Sequence, residues 1–150
     1  MNQISVLIPL AVGVAVFALT IFVHAVPLAT TVGIVRREKK LGHPGATLRS
    51  EFTIVALIIL LALAAHLVEI GVWAAVFVAC GEFHNLAFAY YHSAGNYTTL
   101  GYGDLIMSPK WRLLGPLEAA DGILMFGVST AMIFTLILRL TQARFMDLRN

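Results

Sequence analysis

The feature that most constrains this chain is a set of three apolar runs, each long enough to cross a lipid bilayer. The runs are residues 4–35, 52–80 and 117–138. The first has no Asp, Glu, Lys or Arg, the second has only Glu69, and the third has only Glu118 and Asp121, both near its start. A helix needs about 20 residues to cross a hydrocarbon core of about 30 Å, because it rises about 1.5 Å per residue. The sequence therefore predicts three transmembrane helices.

Composition excludes an ordinary soluble domain. Of the 150 residues, 59% are hydrophobic and 12% are charged, whereas soluble domains have about 25% charged residues. A soluble fold of this size would leave large apolar patches exposed. The net charge of +2 gives no indication of nucleic acid binding, since the basic residues flank the apolar runs. We therefore predict an all-α integral membrane protein.

The basic residues predict its orientation. Eight of the ten lie between the first and second runs or after the third, namely Arg36, Arg37, Lys39, Lys40, Arg49, Arg139, Arg144 and Arg149. Loops rich in Lys and Arg remain in the cytoplasm. We expect a multi-pass protein, of a bacterial inner membrane, with its N-terminus outside and its C-terminus cytoplasmic.

The segment between the second and third runs has an unusual pattern. Residues 85–97 read NLAFAYYHSAGNY, which predicts a helix too short to span a bilayer, with Glu82 or Asn85 capping its start. The following residues, 98–104, read TTLGYGD, and their glycines allow positive φ angles. Non-helical backbone at membrane depth is tolerated only inside protein or beside a water-filled cavity. We therefore predict a re-entrant helix followed by an extended segment.

The extended segment can bind an ion through bare backbone. If the carbonyls of Thr99, Leu100, Gly101 and Tyr102 face one side, they can replace the hydration shell of a cation. One chain supplies one wall of such a site, so several copies must surround an axis.

The motif TTLGYGD resembles the potassium-channel selectivity-filter signature, usually written TTVGYGD, with Leu100 in place of valine. The order of span, short helix, filter and span is also similar to the pore module of that family, over about residues 52–140. The resemblance implies a homotetramer in which the filter carbonyls and the Thr99 hydroxyl coordinate K⁺. Thr98, Gly103 and Asp104 are expected to support the filter, and the Tyr102 side chain is expected to pack behind it.

The same resemblance implies a division of the chain. An additional helix (1–35) and a cytoplasmic basic loop (36–51) precede the pore module (52–140), and a short cytoplasmic tail (141–150) follows it. The module would comprise an outer helix (52–80), a pore helix (85–97), the filter (98–104) and an inner helix (117–140).

The inner helix carries the residues expected to gate the pore. Family resemblance makes Gly122 the expected hinge, with Gly127 as a second glycine, although both can instead allow close helix packing. Spacings of three and four place Ile123, Phe126, Thr130 and Phe134 on one helix face. We expect the first three to line the cavity and Phe134 to form a hydrophobic gate.

Ionisable residues within the membrane form a further candidate site. His66 and Glu69 lie three residues apart on one helix face, and such a pair must find partners in protein or water. With Glu118 and Asp121, they are expected to form a polar network that supports the filter through Asn96, Thr98 or Tyr97. Sensing of pH is an alternative, as is solvent exposure of Glu118 and Asp121. A metal site is disfavoured, because only His84 or His92 is conceivable as a further ligand.

These patterns predict a potassium-selective channel with K⁺ in its filter. We expect a homotetramer in contact with membrane lipids, without an organic cofactor, enzymatic activity or nucleic acid binding. A weakly selective cation channel and a non-conducting regulatory subunit are the alternatives. A membrane enzyme using His66, Glu69 and His84 would lack a nucleophile.

Overall fold

The computed structural model of the protein describes residues 4–41 and 48–147, with side chains at 6–37 and 49–142. It contains the helices α1 (Ile4–Leu41), α2 (Leu48–Ala79), α3 (Leu86–Tyr97) and α4 (Leu114–Asp147). No strand occurs among these residues. Parts of the predicted basic loop and tail, at 42–47 and 148–150, lie outside the described residues, as do the side chains of Lys39, Lys40, Arg144 and Arg149.

Three of the helices are long and apolar enough to cross a membrane. The candidate spans are Val6–Arg37, Arg49–Ala79 and Leu114–Gln142. Their surfaces expose many large apolar side chains, including Phe22, Leu60 and Phe134, which is the expected surface for helices surrounded by lipid or by further copies. The prediction of an all-helical, multi-pass membrane protein is therefore confirmed.

The ends of α3 and α4 follow from local chemistry. Asn85 has an extended backbone, and its Oδ1 accepts a hydrogen bond of 2.7 Å from Ala87 N, so it caps α3 as one of the two expected residues. α4 begins at Leu114, three residues before the predicted start. Pro116 lies in its first turn, where a backbone N–H has no acceptor within the helix, so proline loses no hydrogen bond there. α4 then continues to Asp147, through most of the predicted tail.

Two sites of close approach define the packing. α3 packs against α2 and α4, and α1 packs against the same two helices. At Gly13 of α1, a Cβ atom would lie 2.5 Å from Leu117 Cδ1. At Gly122 of α4, a Cβ would lie 2.0 Å from the carbonyl oxygen of Tyr97, the last residue of α3. Small residues therefore allow α4 to approach both the first helix and the end of the short one.

The buried core lies in two clusters. The larger cluster surrounds Trp73, Phe77 and Tyr97, where α2, α3 and α4 meet. The smaller cluster, around Ile58 and Met132, joins the first half of α2 to the second half of α4. The larger cluster holds the C-terminal end of α3 in place, and residues 98–104 follow directly from that end.

Candidate functional site

Residues 98–104 have an alternating backbone. Thr99, Gly101 and Gly103 have positive φ angles of 61°, 52° and 76°, whereas Leu100 and Tyr102 between them do not. Glycine adopts this region without steric penalty, but a β-branched residue such as threonine rarely does. Residues held in such conformations cluster at functional sites. The alternation therefore marks this segment as the candidate site.

The C-terminal end of α3 holds the start of the segment. The carbonyl oxygen of Gly95 accepts hydrogen bonds from Leu100 N (2.9 Å) and Gly101 N (3.1 Å), and Thr99 N donates to Asn96 O (2.8 Å). Because the donors are the backbone N–H groups of residues 99–101, these bonds tie the conformation of that stretch to the last turn of α3.

A side chain of α3 holds the other end of the segment. Tyr91 Oη donates to Asp104 Oδ2 at 3.0 Å, and Leu105 N donates to Asp104 Oδ1 at 3.1 Å. The hydrogen bond to Asp104 raises the pKa of Tyr91. Tyr102, expected to pack behind the backbone, stacks on Tyr91 with ring centroids 6.4 Å apart and remains 68% exposed. Both ends of residues 98–104 are therefore attached to the same short helix.

A buried polar cluster lies behind the last residue of α3. Its centre is Glu69, which accepts a short hydrogen bond from Tyr97 Oη. Glu69 Oε1 lies 2.9 Å from His24 Nδ1, and Oε2 lies 3.3 Å from His66 Nδ1. The Nε2 atoms of both histidines lie 3.0 Å from Ser129 Oγ. The cluster therefore joins all four helices.

The two acids of α4 are buried beside this cluster. Asp121 Oδ2 accepts hydrogen bonds from Trp73 Nε1 (2.7 Å) and Thr20 Oγ1 (2.9 Å). Glu118 Oε1 accepts a short hydrogen bond from Ser93 Oγ. Solvent exposure of these acids, one of the alternatives, is wrong, because Glu118 and Asp121 are 0% and 1% exposed.

The structure brings together only some of the predicted polar residues. Two of the three expected intermediates take part, because His66 and Glu69 meet Tyr97 and Glu118 is hydrogen-bonded to the Asn96 side chain. The third, Thr98, donates its Oγ1 to Ala94 O at 2.7 Å instead. Neither His84 nor His92, the two histidines considered as further metal ligands, joins His66 and Glu69. His84 is exposed, and His92 packs its ring against Phe77 and Phe83.

Comparison with known proteins bears on what this arrangement does. A family model described as ion channel matches residues 65–139, half of the chain. The chain belongs to the ion channel family. The matched region runs from the second half of α2 through α3 and residues 98–104 into α4, and α1 lies before it. No curated protein and no solved structure gives a significant match. Membership of this family argues for transport rather than catalysis.

The residues of α4 that were predicted to line or gate the pore have different surroundings. Ile123, Thr130 and Phe134 are exposed on the single chain, and Phe126 is 39% exposed while its ring contacts His66 and Tyr97. No atom lies within 4 Å of a Cβ built at Gly127. Gly122 differs, since the backbone of Tyr97 fills the space beside it. Close packing, the alternative to the hinge role, therefore accounts for Gly122, and hinge motion stays a prediction.

Sequence reasoning missed the contribution of α1 to the channel. Thr20 and His24 supply partners for Asp121 and Glu69, and Thr31 Oγ1 lies 3.2 Å from Met132 Sδ. The signal was present, because these three polar residues recur at four and seven positions along an otherwise apolar run, and therefore share one helix face. A polar stripe on a membrane helix indicates a protein-facing side.

Proposed function

We propose that the protein forms a potassium-selective channel in which residues 98–104 of four copies line a central pore. The observation that carries the proposal is the alternation of φ at Thr99, Gly101 and Gly103. In a regular strand, successive peptide groups face opposite sides. Reversing the sign of φ at every second residue instead favours carbonyls that face the same side. A single row of carbonyl oxygens is suited to replace the hydration shell of K⁺.

The requirement for four copies follows from the geometry of coordination. One chain supplies one wall of a pore, and residues 98–104 are all exposed on the single chain. Leu100, 58% exposed, is an apolar side chain beside the proposed filter. Neighbouring copies would cover it and would close the ring of carbonyls around K⁺.

Two electrostatic features favour a cation in such a pore. α3 ends at Tyr97, so its C-terminal end, equivalent to about half a negative charge, lies where the filter begins. Asp104 follows the filter and is held by Tyr91. Repeated four times around an axis, these charges would raise the local concentration of cations.

The positions of the arginines support the proposed orientation. Arg36 of α1 and Arg139 of α4 line one groove between these helices, so the basic ends of α1 and α4 lie together. Since Lys and Arg favour the cytoplasmic side, this end of the bundle would face the cytoplasm. The N-terminus and residues 98–104 would then lie towards the outer side.

The buried cluster has a structural role in this proposal. Tyr97 is the last residue of α3 and is bonded to Glu69 through its hydroxyl group. Its backbone is also in contact with Gly122. Held from two sides, the end of α3 would stay fixed relative to the pore axis while ions pass.

The test is ion flux into liposomes that contain only the purified protein, with the mass of the solubilised complex measured in parallel. We expect a tetramer that conducts K⁺ in preference to Na⁺. Gly101→Ala should abolish this preference, because a Cβ at positive φ costs about 1–2 kcal/mol in each copy. Gly33→Ala is the matched control, since Gly33 lies on α1 and its Cβ would meet no atom within 4 Å.

Each failure has a distinct meaning. Equal permeation of K⁺ and Na⁺ would identify a weakly selective cation channel. Silence of a correctly assembled tetramer would favour a regulatory subunit. A monomer that conducts, or a Gly101→Ala protein with normal preference for K⁺, would refute the filter mechanism.

A further inference from the structure

We propose that His24, His66 and Glu69 form a binding site for a divalent transition-metal ion, with Zn²⁺ as its simplest occupant. The donor atoms of the three side chains all lie within 4.8 Å of one another. His24 is contributed by α1, the helix outside the matched ion channel region. The site is separate from the proposed filter and does not depend on conduction.

The two imidazoles are oriented as metal ligands would be. Both direct Nδ1 towards the Glu69 carboxylate, at 2.9 and 3.3 Å, and both place Nε2 at 3.0 Å from the Ser129 hydroxyl. Histidines that bind a metal through one ring nitrogen ordinarily donate the other N–H to an oxygen. Here one hydroxyl group serves both rings.

Neutral imidazoles leave one ring nitrogen of the cluster without a proton partner. If His24 and His66 both carry their protons on Nδ1, both Nε2 atoms are acceptors and Ser129 has one proton to donate. If His66 instead carries its proton on Nε2, its Nδ1 faces Glu69 Oε2 at 3.3 Å with no proton between them, because the Tyr97 hydroxyl donates to Glu69. With a metal ion on the two Nδ1 atoms, both Nε2–H groups donate to Ser129 Oγ, whose two lone pairs can accept them. The metal-bound arrangement therefore satisfies every ring nitrogen.

Buried carboxyl groups near the three ligands also favour a bound cation. Three carboxyl groups, those of Glu69, Glu118 and Asp121, are buried in the membrane-spanning helices. Among the side chains that the structure describes, no Lys or Arg is buried. Asp121 interacts electrostatically with both Glu69 and His24. A divalent cation would balance the negative charges of the Glu69 and Asp121 carboxylates without any further charged group.

The ligand set identifies the class of metal. Two imidazoles and one carboxylate are a common three-ligand set for Zn²⁺, with metal–ligand distances of about 2.0–2.2 Å. Tetrahedral ligation at those distances places neighbouring donors roughly 3.3 Å apart, close to the 2.9 and 3.3 Å between each histidine Nδ1 and a Glu69 oxygen. Tyr97 Oη lies 3.0 Å from His66 Nδ1. Such an ion would fix α1 to the pore module.

The test is direct binding to untagged protein that has been stripped of metal by a chelator. Titration with Co²⁺ should give one ion per chain and the visible absorption bands of tetrahedral coordination, which Zn²⁺ then displaces. Zn²⁺ should also raise the thermal stability of the wild-type protein. His24→Ala, His66→Ala and Glu69→Gln should each remove both effects.

Two further variants sharpen the test. Ser129→Ala keeps all three ligands and should weaken the affinity by about 10- to 100-fold, as expected when the partner of a ligating histidine is lost. His84→Ala is the matched control, because this histidine is exposed and should leave binding unchanged.

The binding experiments decide the proposal. If wild-type protein binds neither ion with one-to-one stoichiometry, the proposal is wrong. Binding that survives the combined His24→Ala and His66→Ala changes would also overturn it. If the variants do not fold, X-ray absorption at the zinc edge of the wild-type protein still decides, since it must show two imidazole ligands.

Discussion

The packing of α4 against the end of α3 predicts opposite effects for substitutions at Gly122 and Gly127. Gly122→Ala would place a Cβ 2.0 Å from Tyr97 O and 2.9 Å from Tyr97 C. Both are backbone atoms, so no side-chain rotation relieves the contact. Reaching an ordinary separation of about 3.5 Å would require the two helices to move apart by about 1.5 Å. Gly127→Ala meets nothing within 4 Å.

The magnitudes follow from these contacts. Overpacking typically costs about 1–3 kcal/mol, and rigid backbone on one side places Gly122→Ala near the upper end. Alanine returns about 1 kcal/mol through helix propensity. We therefore expect Gly122→Ala to lower the free energy of unfolding by about 2 kcal/mol per chain, and Gly127→Ala to raise it by up to about 1 kcal/mol. Because Tyr97 directly precedes residues 98–104, the proposed filter, Gly122→Ala should also reduce the expected preference for K⁺.

The assay is unfolding of the detergent-solubilised channel by a denaturing detergent, followed by helix content, with K⁺ and Na⁺ flux measured on the same preparations. A Gly122→Ala protein as stable as the wild type would refute the packing argument. If its stability is unchanged but its open probability falls, Gly122 acts as a hinge instead.

Two further changes probe the buried cluster and the pore. Tyr97→Phe leaves the buried carboxylate of Glu69 without one of its hydrogen-bond donors. In the same assay it should lower the free energy of unfolding by about 1–3 kcal/mol. An unchanged value would show that the Tyr97 hydroxyl does not stabilise the fold. Phe134→Ala should raise resting conductance in single-channel recordings, because four exposed phenylalanines at one level of the pore would exclude water; an unaltered open probability would place the gate elsewhere.

Much of the architecture could be predicted from the chain alone. Three apolar runs predict three membrane helices because burial of apolar surface depends on composition and length. The spacing in TTLGYGD predicted a glycine-dependent backbone, since φ preferences are local. The sequence predicted either Glu82 or Asn85 as the N-cap of α3, and Asn85 is the N-cap in the structure. These features depend on neighbours in sequence and need no knowledge of distant contacts.

The partners of the buried polar groups could not be predicted in the same way. His66 and Glu69 were visible as a pair, because a helix places residues three apart on one face. Their partners His24 and Ser129 lie 45 and 63 positions away in the chain, and no local pattern specifies which faces of α1 and α4 meet. The close contact at Gly122 could not be predicted from the sequence either, because it is made with the backbone of another helix.

The sequence by itself determined the membrane class, the number of spans and the signature of the proposed filter, because hydropathy and φ preferences belong to single residues and their near neighbours. Only the tertiary structure decided that α1 contributes a histidine to a cluster behind Tyr97 and that α4 touches the end of α3 at Gly122. The physical reason is that such contacts arise from the mutual packing of helices, in which buried polar groups must find partners wherever the fold brings them together.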